Sequence, residues 1–473
     1  MKHLILKLAV ALSLLGAGLA TGQAQIVPMA QWQAQADRSV AQGKDPIPGP
    51  RNCFWRRGPY SADPYLNLAY PDANTMYWGA IFTVPTGAQL RLEGRFPHAR
   101  YASLISYDAA GVPIESVADY LWKPQNGASN PFIEGADRRQ TGRSYRLQIV
   151  DGPRPQGQVE GRHLAGQTRE QLHAPKYGPA PGQQAVLYRI YVGDQGLDET
   201  AGAGLPEAVL TLADGKELRG PEACQALRTG QALQLDPAAL AIPMPQYYKL
   251  LEAAKKVDPA NPFYPAAPEP IWYQQLDRDA LYGIFEGRQP NADARKSEGG
   301  FYPNPDNQYI RTILSRKLGT VFMLRAKAPT TPRTLKGNAQ MEGGQLRYWS
   351  WCSNQGFANT RVNACAFDEQ FPLDPQGFYT LAVSRAADRP RNARLECGVV
   401  WLPMADNGDG AVDPDMTVLQ LRHMLGSGQF DQAIQNIRSH GSMAQDMGAY
   451  FPRGRYLNTM AFETAIPCQI EKR

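Results

Sequence analysis

The chain is poor in the residues and patterns that mark most chemistries. Six histidines occur in 473 residues, and none forms an HxH, an HExxH or a Cys/His cluster, which removes the familiar zinc signatures. No GxSxG is present; the serines of LGSGQ (425–429) and SHGSM (439–443) lack nucleophile-elbow spacing and read as turn residues. The six cysteines form no CxxC and no CxxCH, so c-type haem attachment is excluded. No long basic block exists, because 49 Lys and Arg interleave with 44 Asp and Glu; nucleic acid is therefore not a partner. Beyond the N-terminus, no apolar run approaches the length that spans a bilayer.

What is present begins with MKHLILKLAVALSLLGAGLATGQA, residues 1–24. Lys2 and Lys7 accompany a short apolar run, and small residues flank Gln23, as a signal peptide cleaved after Ala24 requires, with Ala20 the alternative. Removing Lys2 and Lys7 takes the formal charge from +5 to +3. No Cys follows until Cys53 and no twin-arginine pair precedes the run. The sequence thus predicts a periplasmic or secreted protein with no lipid anchor and no membrane insertion after cleavage. An even number of cysteines in an exported chain predicts disulfides, with fifteen pairings open. Cys352 and Cys365 are close enough in sequence to bridge neighbouring strands.

After a lead-in (25–60) with a helical stretch at QWQAQADRSVAQ, the chain alternates with period two. WGAIFTV (78–84), AQLRLEGRF (88–96), ARYASLISYD (99–108), SYRLQIVD (144–151) and AVLYRIYVGD (185–194) read as strands. In ARYASLISYD neither face is cleanly polar, so both are expected to be covered. The second half repeats the order. YPDANTMYW (70–78) matches NPDNQYIRT (304–312), and AQLRLEGRFP (88–97) matches TVFMLRAKAP (320–329). RYASLISYD (100–108) matches RYWSWCSN (347–354), VADYLWKP (117–124) matches AFDEQFPL (366–373), and VLYRIYV (186–192) matches TVLQLRHML (417–425). The expected architecture is mainly β: two tandem, jelly-roll-like β-sandwich domains at 61–200 and 296–426. A connecting segment (201–295) holds a helix at PQYYKLLEAAKK (245–256), and 427–473 supplies a C-terminal helix, GQFDQAIQNIRSHGSMA, and a tail.

RYASLISYDAAG, RYWSWC, GFYTLAVSRAADRP and VVWLPMADNGDG together resemble an uncharacterised family of exported bacterial β-rich proteins, a domain of unknown function. That family carries a Trp/Tyr-Ser-Leu-x-x-Tyr-Asp-x-x-Gly strand, here in two diverged copies. The resemblance implies the β-rich fold and names no activity. Ala102 stands where the second copy has Trp349, and no WLP follows in the first copy.

Carboxylates offer general acid/base chemistry on a glycoside. Glu93, Asp108, Asp119, Asp368 and Glu369, with His98 beside Arg95 and Arg100, are the catalytic candidates. Arg95, Arg100, Tyr101, Tyr107 and Arg347 are candidate ligand contacts, since an arginine opening a strand can clamp a carboxylate or pair with a neighbouring acid. Asp72 and Asp306, each after proline, fit Asx turns. The loop ADNGDGAVDPD offers Asp406, Asp409, Asp413 and Asp415 as calcium ligands, although Ala405 sits at the first EF-hand position. No cofactor other than calcium is expected. Trp residues supply either stacking platforms or core, and Trp349 and Trp351 share a face. The sequence predicts a protein that binds a glycan or other envelope component through its β-sandwich faces. The alternative is a glycoside hydrolase or lyase with its carboxylates at the junction of the copies.

Overall fold

The protein is described here from a computed structural model. It covers residues 38, 41–43, 49–62, 67, 69–155, 167–176, 182–231, 241–257, 266–290, 294 and 302–468. Residues 1–24, expected from the sequence to be a signal peptide, and almost all of the helical stretch expected at 31–42 lie outside the described residues.

The first half contains β1 (Arg57–Tyr60), β2 (Thr75–Phe82), β3 (Gln89–Arg95), β4 (Ala99–Tyr107), β5 (Pro113–Ala118), β6 (Ser144–Val150), β7 (Gln171–His173), β8 (Gln184–Gly193), β9 (Glu207–Thr211) and β10 (Glu217–Leu218). A helical segment follows, with α1 (Gly220–Ala226), α2 (Met244–Val257) and α3 (Arg278–Glu286), interrupted by β11 (Trp272–Gln274). The second half contains β12 (Asn307–Ser315), β13 (Val321–Lys327), β14 (Leu346–Asn354), β15 (Val362–Phe367), β16 (Phe378–Ser384), β17 (Val399–Pro403), β18 (Met416–Gly426), α4 (Met443–Met447), β19 (Arg453–Leu457) and α5 (Thr459–Ala465). The chain is therefore mainly β, in two β-rich halves separated by helices.

Each half has two sheets. Their orders are β1-β2-β8-β4-β5 and β10-β9-β3-β6-β7 in the first, and β11-β12-β18-β14-β15 and β17-β16-β13-β19 in the second. Strand for strand the large sheets have the same order, and β6–β7 and β16–β17 are both parallel pairs. A 3-10 turn follows the last strand of each large sheet, at Asp119–Leu121 and Asp368–Gln370. β9 and β10 lie within the stretch expected to be a connector, yet they extend the first half's second sheet, because β9 satisfies the free edge of β3.

Alternation decides the cores. Trp78, Ala80 and Phe82 of β2 and Val186, Tyr188 and Ile190 of β8 join Leu90, Leu92 and Leu147 of the second sheet in one cluster. Trp349 and Trp351 of β14 join Phe322, Leu324, Leu381 and Val400 in the corresponding cluster of the second half. The opposite faces of the two large sheets meet each other. Tyr191 packs edge-on against Tyr101 (ring centroids 5.3 Å apart) and against Tyr348 (5.4 Å). Every residue of β4 and of β14 is buried as a result. One face is covered by its own half and the other by its neighbour.

Disulfides join Cys53 to Cys224, Cys352 to Cys365 and Cys397 to Cys468. The C-terminal helix expected at GQFDQAIQNIRSHGSMA is not one helix. It is broken into 3-10 turns at Ile434–Asn436 and His440–Ser442 before α4. Docking onto β18 wins over helical continuity. The Ile434 amide donates to His423 Nδ1 (3.2 Å), and Phe430, Ala433 and Ile437 are buried.

Candidate functional site

The junction between the halves is a reciprocal polar interface. Arg100, at the start of β4, directs Nη1 to both oxygens of Asp368 (2.9 Å each), Nη2 to Glu369 and Nε to Thr334 Oγ1 (2.9 Å). Arg347, at the start of β14, directs Nη1 to Asp119 Oδ1 (3.3 Å) and Nη2 to the Phe132 carbonyl (3.1 Å). Each arginine also donates to the other's carbonyl at 3.4 Å. Each acid accepts a strand amide of its own half, Asp119 from Ala102 (2.6 Å) and Asp368 from Trp349 (3.2 Å). The tyrosines cross over in the same manner. Tyr348 donates to Asp72 (2.7 Å), and Tyr101 donates to Asp306 (2.5 Å). Corresponding positions thus exchange partners across the junction, the geometry of an isologous contact within one chain.

This exchange occupies several residues that the sequence offers for catalysis or binding. Burial pushes the Asp119 carboxyl up to about 7, against the pull of Arg347 and of the Ala102 and Tyr120 amides. Burial likewise raises Asp368, with Arg100 opposing. Glu369 accepts the Thr334 and Leu335 amides as well as Arg100. The remaining candidates lie apart. Glu93 sits on β3 among Arg91, Arg146 and Arg219; burial opposes ionisation there, but the bonds from Arg91 and Arg219 bring its pKa to about 2. Asp108 caps its turn by accepting from the Ala110 and Val112 amides (2.9 Å each). His98 is half-buried, and burial followed by Arg143, Arg138 and Arg95 depresses it to about 4. Arg95 is exposed, and the Tyr107 hydroxyl donates to the Pro303 carbonyl (2.8 Å). These residues form no common cleft.

The acidic loop is organised by its own backbone. Asp409 Oδ1 accepts the amides of Ala411, Val412 and Asp413 (2.8–3.0 Å), and Oδ2 accepts the Tyr247 hydroxyl (3.0 Å). Asp415 lies 3.6 Å from both Arg316 and Arg385. Asp406, Asp409, Asp413 and Asp415 do not converge as a group of potential ligands; among the described residues only Asp72, Cys352 and Cys365 do so. Both sulfurs of that trio are in one disulfide. A thiolate is needed to hold a metal, so while this bond is intact the trio offers a single carboxylate.

The feature that sequence inspection misses is a cavity of about 230 Å³ between the outward faces of the large sheets. Its walls alternate along the strands: Tyr77, Gly79 and Ile81 from β2, Leu187, Arg189 and Tyr191 from β8, Tyr309 and Arg311 from β12, and Gln420 and Arg422 from β18. Ile242, Leu281 and Phe357 close it from the helical side. Among the described residues five arginines line it (Arg57, Arg189, Arg278, Arg311 and Arg422) and no acid does. Arg189, Arg311 and Arg422 are each no more than 4% exposed. Arg422 is neutralised by Asp72 behind it and lies 5.1 Å from the Tyr309 ring centroid. Arg311 makes no ion pair among the described residues; it packs over Phe357, and burial lowers its pKa. A signal for these residues exists in the sequence. An arginine in the middle of an apolar strand, as in VLYRIYV and VLQLRHML, is seldom buried without a reason.

None of Glu93, His98, Asp108, Asp119, Asp368, Glu369, Arg95, Arg100, Tyr101, Tyr107 and Arg347 lines this cavity. The tryptophans do not line it either: Trp55, Trp78, Trp122, Trp349 and Trp351 are fully buried in the cores.

No family model matches the chain, and no curated protein matches it. The family resemblance therefore rests on the strand motifs alone. Among solved structures, an uncharacterized protein from Burkholderia cenocepacia is similar at 11% identity, over 84% of this chain and 79% of that one, with a TM-score of 0.42. A protein from Vibrio parahaemolyticus is similar at 12% identity, over 90% of this chain and 94% of that one, with a TM-score of 0.37. Both are weak likenesses to distant proteins.

Proposed function

We propose that this is an exported, non-catalytic binding protein, built as two related β-sandwiches that hold a small ligand between them. The observation that supports this reading is the cavity of about 230 Å³ at the junction of the large sheets. Ligand sites are concave, mostly apolar and furnished with a few convergent polar groups. This one has Ile81, Leu187, Leu281 and Phe357 as apolar wall and arginines and tyrosines as polar groups. The volume lies below the roughly 300–1,000 Å³ of drug-sized sites, which favours a monosaccharide, a glycan end or a molecule of one or two rings. With the tryptophans in the cores, a glycan would enter by its end and not stack along a sheet face.

The test is a screen of monosaccharides and one- and two-ring compounds by ligand-observed NMR and thermal shift, repeated on Leu187→Trp. Leu187 lines the cavity, and the larger ring fills it. Binding that disappears in the folded variant supports the reading. Hits that bind Leu187→Trp as well as the parent protein place the ligand elsewhere and overturn it. Released product in the same samples would return the carbohydrate-active alternative.

A further inference from the structure

We infer that the ligand of this cavity is an anion with an apolar body, a carboxylate of an aromatic acid or of an acidic sugar, whose charge is taken by Arg189 and Arg311; this deepens, and rests on, the binding function proposed above.

The two halves provide their own comparison. Arg189 is paired with Tyr77 on one side and Ser103 on the other. Arg422 is paired with Tyr309 and Ser350 in the same way. The two arginines therefore occupy corresponding places in the two large sheets. Arg422 has its counter-charge, since Nη1 donates to Asp72 and to Ser350 Oγ (3.0 Å), and only its Nε is without a partner. The corresponding aspartate, Asp306, accepts instead from Tyr101 (2.5 Å) and Ser116 (3.1 Å). No ion pair joins it to Arg189.

Among the described residues Arg189 is a cation without a counter-charge, 2% exposed. Nη2 donates to the Tyr302 carbonyl (2.6 Å), and the guanidinium lies 5.6 and 5.5 Å from the ring centroids of Tyr77 and Tyr107. Nη1 has no hydrogen-bond partner. Arg311 is buried and makes no ion pair among the described residues, and Gln420, opposite it on β18, has an unpartnered Oε1. A buried, unpaired charge is costly, and a planar guanidinium is matched by a carboxylate. A ligand anion supplies to Arg189 what Asp72 supplies to Arg422. The remaining wall is apolar or aromatic, which sets the body of the ligand.

The probes are 2-naphthoate, its neutral isostere 2-naphthamide, glucuronate and glucose, titrated calorimetrically into the mature protein. The acid of a pair is expected to bind about tenfold or more tightly than its neutral partner, the size of one lost charge-assisted bond. Naphthoate and glucuronate separate an aromatic acid from an acidic sugar. Arg189→Met and Arg311→Met remove cations that leave no acid behind, so both are expected to fold, as circular dichroism would verify. Each should reduce the acid's advantage, and the double variant should erase it while keeping the affinity for the neutral partner. Equal affinity for acid and neutral partner in the unmodified protein overturns the anion assignment; if that binding is lost in Leu187→Trp, the cavity itself still stands. A preference that survives in the double variant overturns the assignment to these arginines. If no probe binds, the anion assignment and the cavity function both fail.

Discussion

Replacing Arg347 with methionine removes one of the two reciprocal ion pairs across the junction and leaves a carboxyl behind. The guanidinium contacts Asp119 Oδ1 at 3.3 Å and the carbonyls of Arg100 and Phe132 at 3.4 and 3.1 Å. Asp119 is fully buried and would keep its backbone donors, chiefly the Ala102 amide. Breaking a buried pair from one side costs about 3–5 kcal/mol. The loss is limited by protonation, because burial already holds this carboxyl at about 7 with Arg347 in place. Without the arginine it rises further. A carboxyl whose folded pKa lies above its unfolded value makes the fold most stable in acid and less stable as pH rises between the two values. The cost should therefore be largest at pH 8.5, fall by about 1.4 kcal/mol for each pH unit between the variant's raised pKa and about 7, and level off below, where the carboxyl is protonated in both proteins. The assay is urea unfolding followed by tryptophan fluorescence at pH 5.5, 7.0 and 8.5, on Arg347→Met, Asp119→Asn and the double variant. The double variant should recover most of the loss. A cost that does not change with pH, or a double variant as unstable as Arg347→Met, would refute the reasoning.

Other outcomes follow from the same geometry. His423 is buried and burial holds it at about 3, so its neutral form stabilises the fold fully above the unfolded pKa of about 6.5 and this is lost as pH falls towards 3. His423→Gln should flatten the acid limb of a melting-temperature profile between pH 6.5 and 4, and an unchanged limb would exclude His423 as its source. Replacing both Cys53 and Cys224 with serine frees a link across 171 residues and should lower stability by about 2–5 kcal/mol, read as a fall in melting temperature. Asp409→Ala strips acceptors from three loop amides and should cost about 1–3 kcal/mol with or without added calcium. A thermal shift of the unmodified protein on adding calcium, absent in the variant, would make the loop a cation site after all.

The β-rich class and most of the core were legible because a strand alternates with period two. Trp349 and Trp351, read as one face, are both in the second core. The mixed faces of ARYASLISYD likewise announced that both would be covered. The C-terminal helix was misread because Phe430, Ala433, Ile434 and Ile437 have helical spacing, but the Ile434 amide is claimed by His423, a residue of a distant strand.

The site was hidden for a related reason. Arg100, Asp119, Arg347 and Asp368 are charged residues near strand ends, and spacing does not say that each finds its partner in the opposite half. Local sequence determined which residues alternate, which face of each strand is apolar and where turns fall, because those depend on the chain within a few residues. Only the tertiary structure decided which charges are neutralised. Arg189 and Arg422 sit at corresponding strand positions and both line the cavity, yet only Arg422 meets an aspartate among the described residues. The difference comes from how two sheets face one another over more than two hundred residues of separation, and no local pattern encodes it.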